Sequence, residues 1–287
     1  MSAKLLPFVL FVVMIILLNT CTENPFFDDR IEIKDKRRLQ GKVIVGDLAG
    51  SGGVFVWLDG FKLSTWSDSL GNFELQLPRA NTQPGGGLTG SFNLYLYIAN
   101  YQVGIVPLPI LDGQFEYGKG PLDVKGKLMQ SVVLRKILDI QTTINPDTMT
   151  TESKDPIHFK VRLENLAEPV EVGTYHNSFG NPSCLVLRHE DDPIENAVLL
   201  QGQPGIYKLI LIDTVTVWDM FYQFSPYFFR PGTYEITPYL QIQQKELPVD
   251  LLKSIDEDIL QFDYQYLKWP LRHMAGRLTV VGLEGNE

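Results

Sequence analysis

Apolar and polar residues alternate with period two over much of the chain, and the clearest case is residues 53–78. Val54, Val56 and Leu58 alternate, Asp59-Gly60 turns, and residues 63–66 run on. Asp68-Ser69-Leu70-Gly71-Asn72 turns again, and Phe73, Leu75 and Leu77 alternate before Pro78. Alternation between Gly/Asp turns is the mark of half-buried antiparallel strands. Asp68 is expected to accept amides inside its own turn, Gly71 to take positive φ, and Phe73 to fill the core, so these three are read as a structural turn.

Further short strands are expected at 42–45, 92–99, 101–110 and 128–134, with a flexible Gly/Pro-rich loop at 79–90. A second series follows. Phe159, Val161 and Leu163 alternate, then come strands at 140–144, 170–172, 184–187, 209–217, 234–242 and 277–281. Short strands at close spacing predict sandwiches. Between 248 and 266 the period changes: Leu252, Ile255, Ile259, Phe262 and Tyr266 fall on one face of an amphipathic helix, with Asp256, Glu257, Asp258 and Asp263 off it.

Two resemblances rest on these residues. Gly41-Lys42-Val43, the run 53–58, Ser67-Asp68 with Gly71 and Phe73, Leu77-Pro78, Tyr95, Tyr97 and Asn100-Tyr101 together look like the carboxypeptidase regulatory-like family. The resemblance implies a transthyretin-like β-sandwich, an accessory module without catalytic residues. Asn100 stands where that family usually has Gly, and Asn tolerates the left-handed φ of such a turn. Phe159, Val161, Leu163 and Asn165, then Pro169-Val170, residues 184–187 and Pro231-Gly232-Thr233-Tyr234, are similar to an immunoglobulin-like sandwich of the intracellular proteinase-inhibitor type.

The expected fold class is therefore all-β: two tandem antiparallel β-sandwiches, transthyretin-like then Ig-like, with one short C-terminal helix. The expected organisation is a signal peptide at 1–20, a tether at 21–38, a first sandwich at 39–138 and a second at 139–287 with a helical insertion near 248–266.

Composition adds a location. Lys4 precedes an apolar run from 5 to 18, too short for a membrane span of ~20 residues and interrupted by Pro7. A basic start followed by an apolar run is a secretory signal. Leu18-Asn19-Thr20-Cys21 resembles a bacterial lipoprotein signal, which implies lipidation of Cys21 and a membrane as partner. With Cys21 so used, Cys184 has no partner and reads as a small buried residue. The formal charge of −9 repels phosphate backbones, so nucleic acid is not an expected partner.

No catalytic chemistry is legible. His158, His176, His189 and His273 lack metal-site spacing, the Gly85-Gly86-Gly87 run lacks the Lys-Ser/Thr of a phosphate loop, and no nucleophile elbow occurs. No catalytic residue, metal or cofactor is assigned. The aromatic series at 218–229 is the candidate partner surface, with Trp218, Tyr222, Tyr227 and Phe228 as its residues; alternatively its members fill the core. The reading is a non-catalytic, lipid-anchored envelope protein acting as a binding or structural module, with another envelope protein or a glycan as partner. Its rivals are a proteinase inhibitor using a second-domain loop and a carbohydrate-binding accessory lipoprotein.

Overall fold

The computed structural model describes residues 35–46, 50–225 and 229–282, and among these it has nineteen strands and one α-helix. The first eight strands are β1 (Arg38–Val45), β2 (Phe55–Leu58), β3 (Leu63–Trp66), β4 (Asn72–Gln76), β5 (Gly90–Tyr97), β6 (Gly104–Leu111), β7 (Gln114–Phe115) and β8 (Val132–Leu134). They form two sheets, ordered β4-β1-β8 and β3-β2-β5-β6-β7. Leu39, Val43, Val56, Leu58, Phe73, Leu75, Leu94 and Leu96 meet between them as one core. β1 pairs antiparallel with β4 and parallel with β8. The fold takes in residues assigned to the tether: the Lys36 and Arg37 carbonyls accept from Phe115 and Leu77, each at 2.8 Å.

The Asp68 turn closes as its residue types require. The carboxylate accepts from the amides of Leu70 at 2.9 Å and Asn72 at 2.8 Å. Gly71 has φ +83°, and a Cβ there would stand 2.1 Å from the Val43 carbonyl oxygen. Phe73 is buried. The Gly/Pro-rich loop expected to be flexible is instead tied down by one buried side chain. Gln83 donates to the carbonyls of Pro78 at 2.8 Å and Gly113 at 3.0 Å, and accepts from Leu88 at 3.2 Å.

The remaining strands are β9 (Leu138–Asn145), β10 (Thr148–Thr150), β11 (Pro156–Asn165), β12 (Val170–Asn177), β13 (Cys184–His189), β14 (Val198–Gln201), β15 (Pro204–Ile212), β16 (Val215–Gln223), β17 (Gly232–Pro238), β18 (Gln241–Ile242) and β19 (Gly276–Val281). Three sheets result: β10-β19-β17-β13-β14, β16-β11-β9 and β15-β12-β18. Phe159, Val161, Leu163, Leu185, Leu187, Trp218, Ile236 and Leu278 share the second core. Tyr234 ends a turn as a corner residue: its hydroxyl accepts from the Arg230 amide at 2.8 Å and donates to the Arg230 carbonyl at 3.2 Å. The run expected as a single strand over 209–217 is broken at Asp213-Thr214, where Asn165 holds both carbonyls, so β15 and β16 join different sheets.

The short helix expected near 248–266 is present as α1 (Val249–Ile255), and the rest of the amphipathic stretch closes in a 3₁₀ turn at Tyr264–Lys268. Aspartates break it. Asp256 is extended, and its carboxylate accepts from the Asp258 amide at 2.9 Å; Asp263 accepts from Tyr264 at 2.7 Å. Side chains that bond the local backbone compete with helix continuation. The apolar residues nevertheless point inward: Leu252, Ile259 and Tyr266 are buried.

A third apolar cluster joins the two sandwiches, and Lys36–Glu287 form one compact unit. It collects Phe55, Trp57, Tyr95 and Tyr97 from the outer face of the first sandwich and Cys184 and Val186 from the outer face of the second. Leu251, Leu252, Ile259, Tyr266 and Trp269 of the helical segment complete it. β2 is thus buried on both faces rather than half-buried, because its outward residues serve as interface. Asn100 was expected to use left-handed φ; the only non-glycine residues among those described with positive φ are Lys62 and Asp112. Asn100 is placed by its side chain instead. Its Nδ2 donates to the carbonyls of Leu138 at 2.9 Å and Arg272 at 2.6 Å, so the turn after β5 is bonded to the start of β9 and to the segment before β19.

Candidate binding surfaces

The aromatic residues of β16 alternate between core and surface, as side chains on a strand must. Trp218 is 4% exposed and packs in the second core, so it presents no surface to a partner. Tyr222 is half-buried and donates its hydroxyl to the Ser183 carbonyl at 2.8 Å, while burial holds its phenol well above the ordinary range. Phe224 and Phe229 stack inside the core at 5.2 Å. Tyr227 and Phe228 lie outside the described residues, as does Cys21.

What β16 does expose is the opposite row, Val215, Val217 and Phe221. Phe221 is 67% exposed and lies flat against His158, with ring centroids 4.3 Å apart and planes within 3°. His158 Nε2 in turn lies 2.9 Å from Asp219. Phe221 belongs to the aromatic series at 218–229, and Val215 and Val217 share its face by the period-two spacing of the strand.

β15 is the other edge. It pairs only with β12, and Ile206, Tyr207, Leu209 and Leu211 are exposed on it. Of the twenty exposed large hydrophobic residues among those described, seven lie on β15 and β16. Each strand is nine residues long and borders its sheet, while most other border strands have two to five residues. Long apolar edge strands are templates for further strand pairing. Tyr207 is locked in place: its ring meets Tyr175 at 5.4 Å, its hydroxyl donates to Gln241 at 2.9 Å, and a Cβ on Gly173 would fall 1.7 Å from that hydroxyl. Gly173 is therefore the only residue type that leaves room for the ring.

A cavity of about 220 Å³ lies beneath the helical segment. Its polar lining is the Arg188–Glu235 ion pair (2.6 Å), Thr237 and His273, and Tyr266, Trp269 and Leu271 wall it. His273 Nδ1 is buried with no hydrogen-bond partner among the described residues, and burial holds its imidazole below the ordinary range against the opposing charge of Glu235. The set offers hydrogen bonds and no nucleophile. Cys184 is buried in the sandwich interface, and desolvation pushes its thiol far above the range where a reactive thiolate forms. Among the described residues no three His, Cys, Asp or Glu side chains gather as a metal site, and no helix is long and apolar enough to cross a membrane.

No family model matches the chain, and no curated protein matches it. Among solved structures it is similar to BcpA, the major pilin subunit of Bacillus cereus, at 10% identity over 72% of this chain and 66% of that one, with a TM-score of 0.26. It is also similar to the Bacillus anthracis TIE protein, at 6% identity over 86% of this chain and 50% of that one, with a TM-score of 0.21.

Proposed function

We propose that this chain is a non-catalytic, lipid-anchored envelope protein that holds an extended segment of another envelope protein on the β15/β16 edge. In this reading Cys21 carries the lipid, the stretch after it is the tether, and a transthyretin-like and an Ig-like sandwich form the body. Several acyl chains on one residue anchor stably, at ~0.8 kcal/mol per buried CH₂. The observation that carries the binding role is the concentration of exposed apolar residues on two long edge strands. From Tyr207 to Val217 the only charges are Lys208 and Asp213. An occupant there needs no compensating charge, but it must satisfy the open strand edge and cover a row of aliphatic side chains. An extended peptide with apolar residues at alternate positions does both, as in strand addition to a sheet edge.

The test places a photocrosslinking amino acid at Leu209 of the full chain in the native envelope, with Lys125 as an exposed control on the first sandwich. The reading expects a crosslink from 209 that maps to one extended, alternating segment of a partner and is absent from 125. Equal capture at both positions, or none at 209, would overturn it. Membrane association retained by Cys21→Ser would separately remove the lipid anchor.

A further inference from the structure

β3 and β4 border opposite sheets, and a groove of about 520 Å³ runs along them. This lies within the ~300–1,000 Å³ of ordinary ligand sites. Trp66 lines it and is 47% exposed, whereas Trp57, Trp218 and Trp269 are all buried. Phe55 backs the Trp66 ring at 4.9 Å, so the exposed indole is held rather than free to fold away. Exposing so large an apolar ring to water is costly unless something covers it.

Polar side chains around Trp66 are also fixed before any ligand arrives. Glu74 accepts on Oε2 from Arg38 at 2.5 Å and Gln40 at 3.1 Å, which holds its carboxyl below the ordinary range, and its Oε1 has no hydrogen bond among the described residues. Asp68 and Asn72 are locked together by the turn, with Asn72 Nδ2 donating to Asp68 Oδ2 at 3.1 Å. Lys127 adds an ammonium to the lining. The lining thus carries two carboxylates, Asp68 and Glu74, one ammonium, Lys127, and the side-chain amides of Gln40 and Asn72.

We infer that this groove binds an oligosaccharide. A pyranose ring lays its C–H face on an aromatic plate while its hydroxyls donate to carboxylates and accept from amides and ammonium groups. The groove offers both partners. A peptide strand would need apolar pockets at every second residue, and the apolar side chains lining the groove are Trp66 and Phe73.

Isothermal titration of the full chain in detergent with maltohexaose, cellohexaose and chitohexaose tests this. Saturable binding of at least one hexaose is expected, weakened about tenfold or more in Trp66→Ala, which is ~1.4 kcal/mol, and weakened also in Glu74→Gln. Trp66→Phe keeps an aromatic plate and should bind better than Trp66→Ala, and thermal melting of each variant separates lost affinity from lost folding. The inference fails if none of the hexaoses binds, or if Trp66→Ala with an unchanged melting curve keeps wild-type affinity. It fails equally if an alternating apolar peptide, and no hexaose, occupies the groove.

Discussion

The side-chain amide of Asn100 pairs with the backbone of Arg272 at both ends: its Nδ2 donates to the Arg272 carbonyl at 2.6 Å and its Oδ1 accepts from the Arg272 amide at 3.1 Å. One residue so stands in for a strand neighbour across the junction of the two sandwiches. Gln244 repeats the device beside it, accepting from the Val103 amide at 3.0 Å and donating to the carbonyls of Ala99 and Tyr101 at 3.0 and 2.9 Å. The Arg272 guanidinium then reaches back to the carbonyls of Gly50 and Gly52 at 2.8 and 2.6 Å.

Asn100→Ala strips three hydrogen bonds from one buried and two partly buried backbone groups, so we expect it to destabilise the chain by ~3 kcal/mol. Urea unfolding checks this. Because the third core is shared, wild type should unfold both sandwiches in one transition, and the variant should separate them or shift the midpoint strongly. A loss below ~0.5 kcal/mol, the range of surface substitutions, would show that the clamp is not a structural joint.

Tyr97 makes the opposite case. Its ring is wholly buried in the sandwich interface, yet its hydroxyl has no hydrogen-bond partner among the described residues, and burial drives its phenol far above the ordinary range. Tyr97→Phe removes the stranded hydroxyl and keeps the ring. We expect it to be neutral or to stabilise by ~1 kcal/mol. A clear loss of stability in urea would mean that the hydroxyl is satisfied in solution by a trapped water.

Much of the architecture was legible because strand periodicity is local. Phe159, Val161 and Leu163 alternate, and all three are in the core. What escaped was what depends on a distant segment. The outward residues of β2, Phe55 and Trp57, looked like one face of a half-exposed strand, since their cover comes from Leu251 to Trp269, about two hundred positions later in the chain. The apolar period at 252–266 runs past the end of α1 because periodicity registers which residues face inward, while the aspartates that end the helix act through their own backbone bonds. Trp66 was read as part of a strand, and its exposure follows only from β3 being the last strand of its sheet.

One buried and one half-buried histidine, His176 and His273, should make stability fall on mild acidification. Burial holds both His176 and His273 below the ordinary range; nearby Lys208 adds to the effect at His176, and Glu235 opposes it at His273. Above pH ~6.5 both folded and unfolded chains carry neutral imidazoles and stability is at its full value. As pH drops through ~6.5 the unfolded chain takes up protons first, so stability declines until the folded imidazoles are protonated too. Urea midpoints measured between pH 8 and pH 5 should fall with pH, and less steeply in a His273→Gln variant. The carboxyls of Asp68 and Glu74, held below their ordinary range, add a second decline that begins lower, near pH ~4. A flat profile from pH 8 to pH 5 would contradict the burial argument.

Gly173→Ala tests how the β15 edge is set. The added methyl lands on the Tyr207 hydroxyl, so the ring must leave Tyr175 and Gln241. We expect a cost of ~1–3 kcal/mol from the forced displacement. The same change in a Tyr207→Ala background should cost much less, giving a coupling energy above ~0.5 kcal/mol in a double-mutant cycle. Additive losses would place the strain elsewhere.

Charging the edge separates its binding role from its folding role. Leu209 and Val217 are exposed on different sheets, so lysine at either position removes no core contact and should change stability by less than ~0.5 kcal/mol. Lysine on an edge strand is nonetheless a standard bar to further pairing, because a docking strand would bury its charge. Leu209→Lys and Val217→Lys together should therefore leave urea unfolding unchanged and reduce the yield of the partner crosslink, read from a probe at Leu211, about tenfold or more if binding loses ~1.4 kcal/mol. Phe221 is a poor substitute for this test, since its ring also covers His158 and its loss would disturb the sheet face itself. Undiminished crosslinking in the doubly charged edge would show that the partner binds elsewhere.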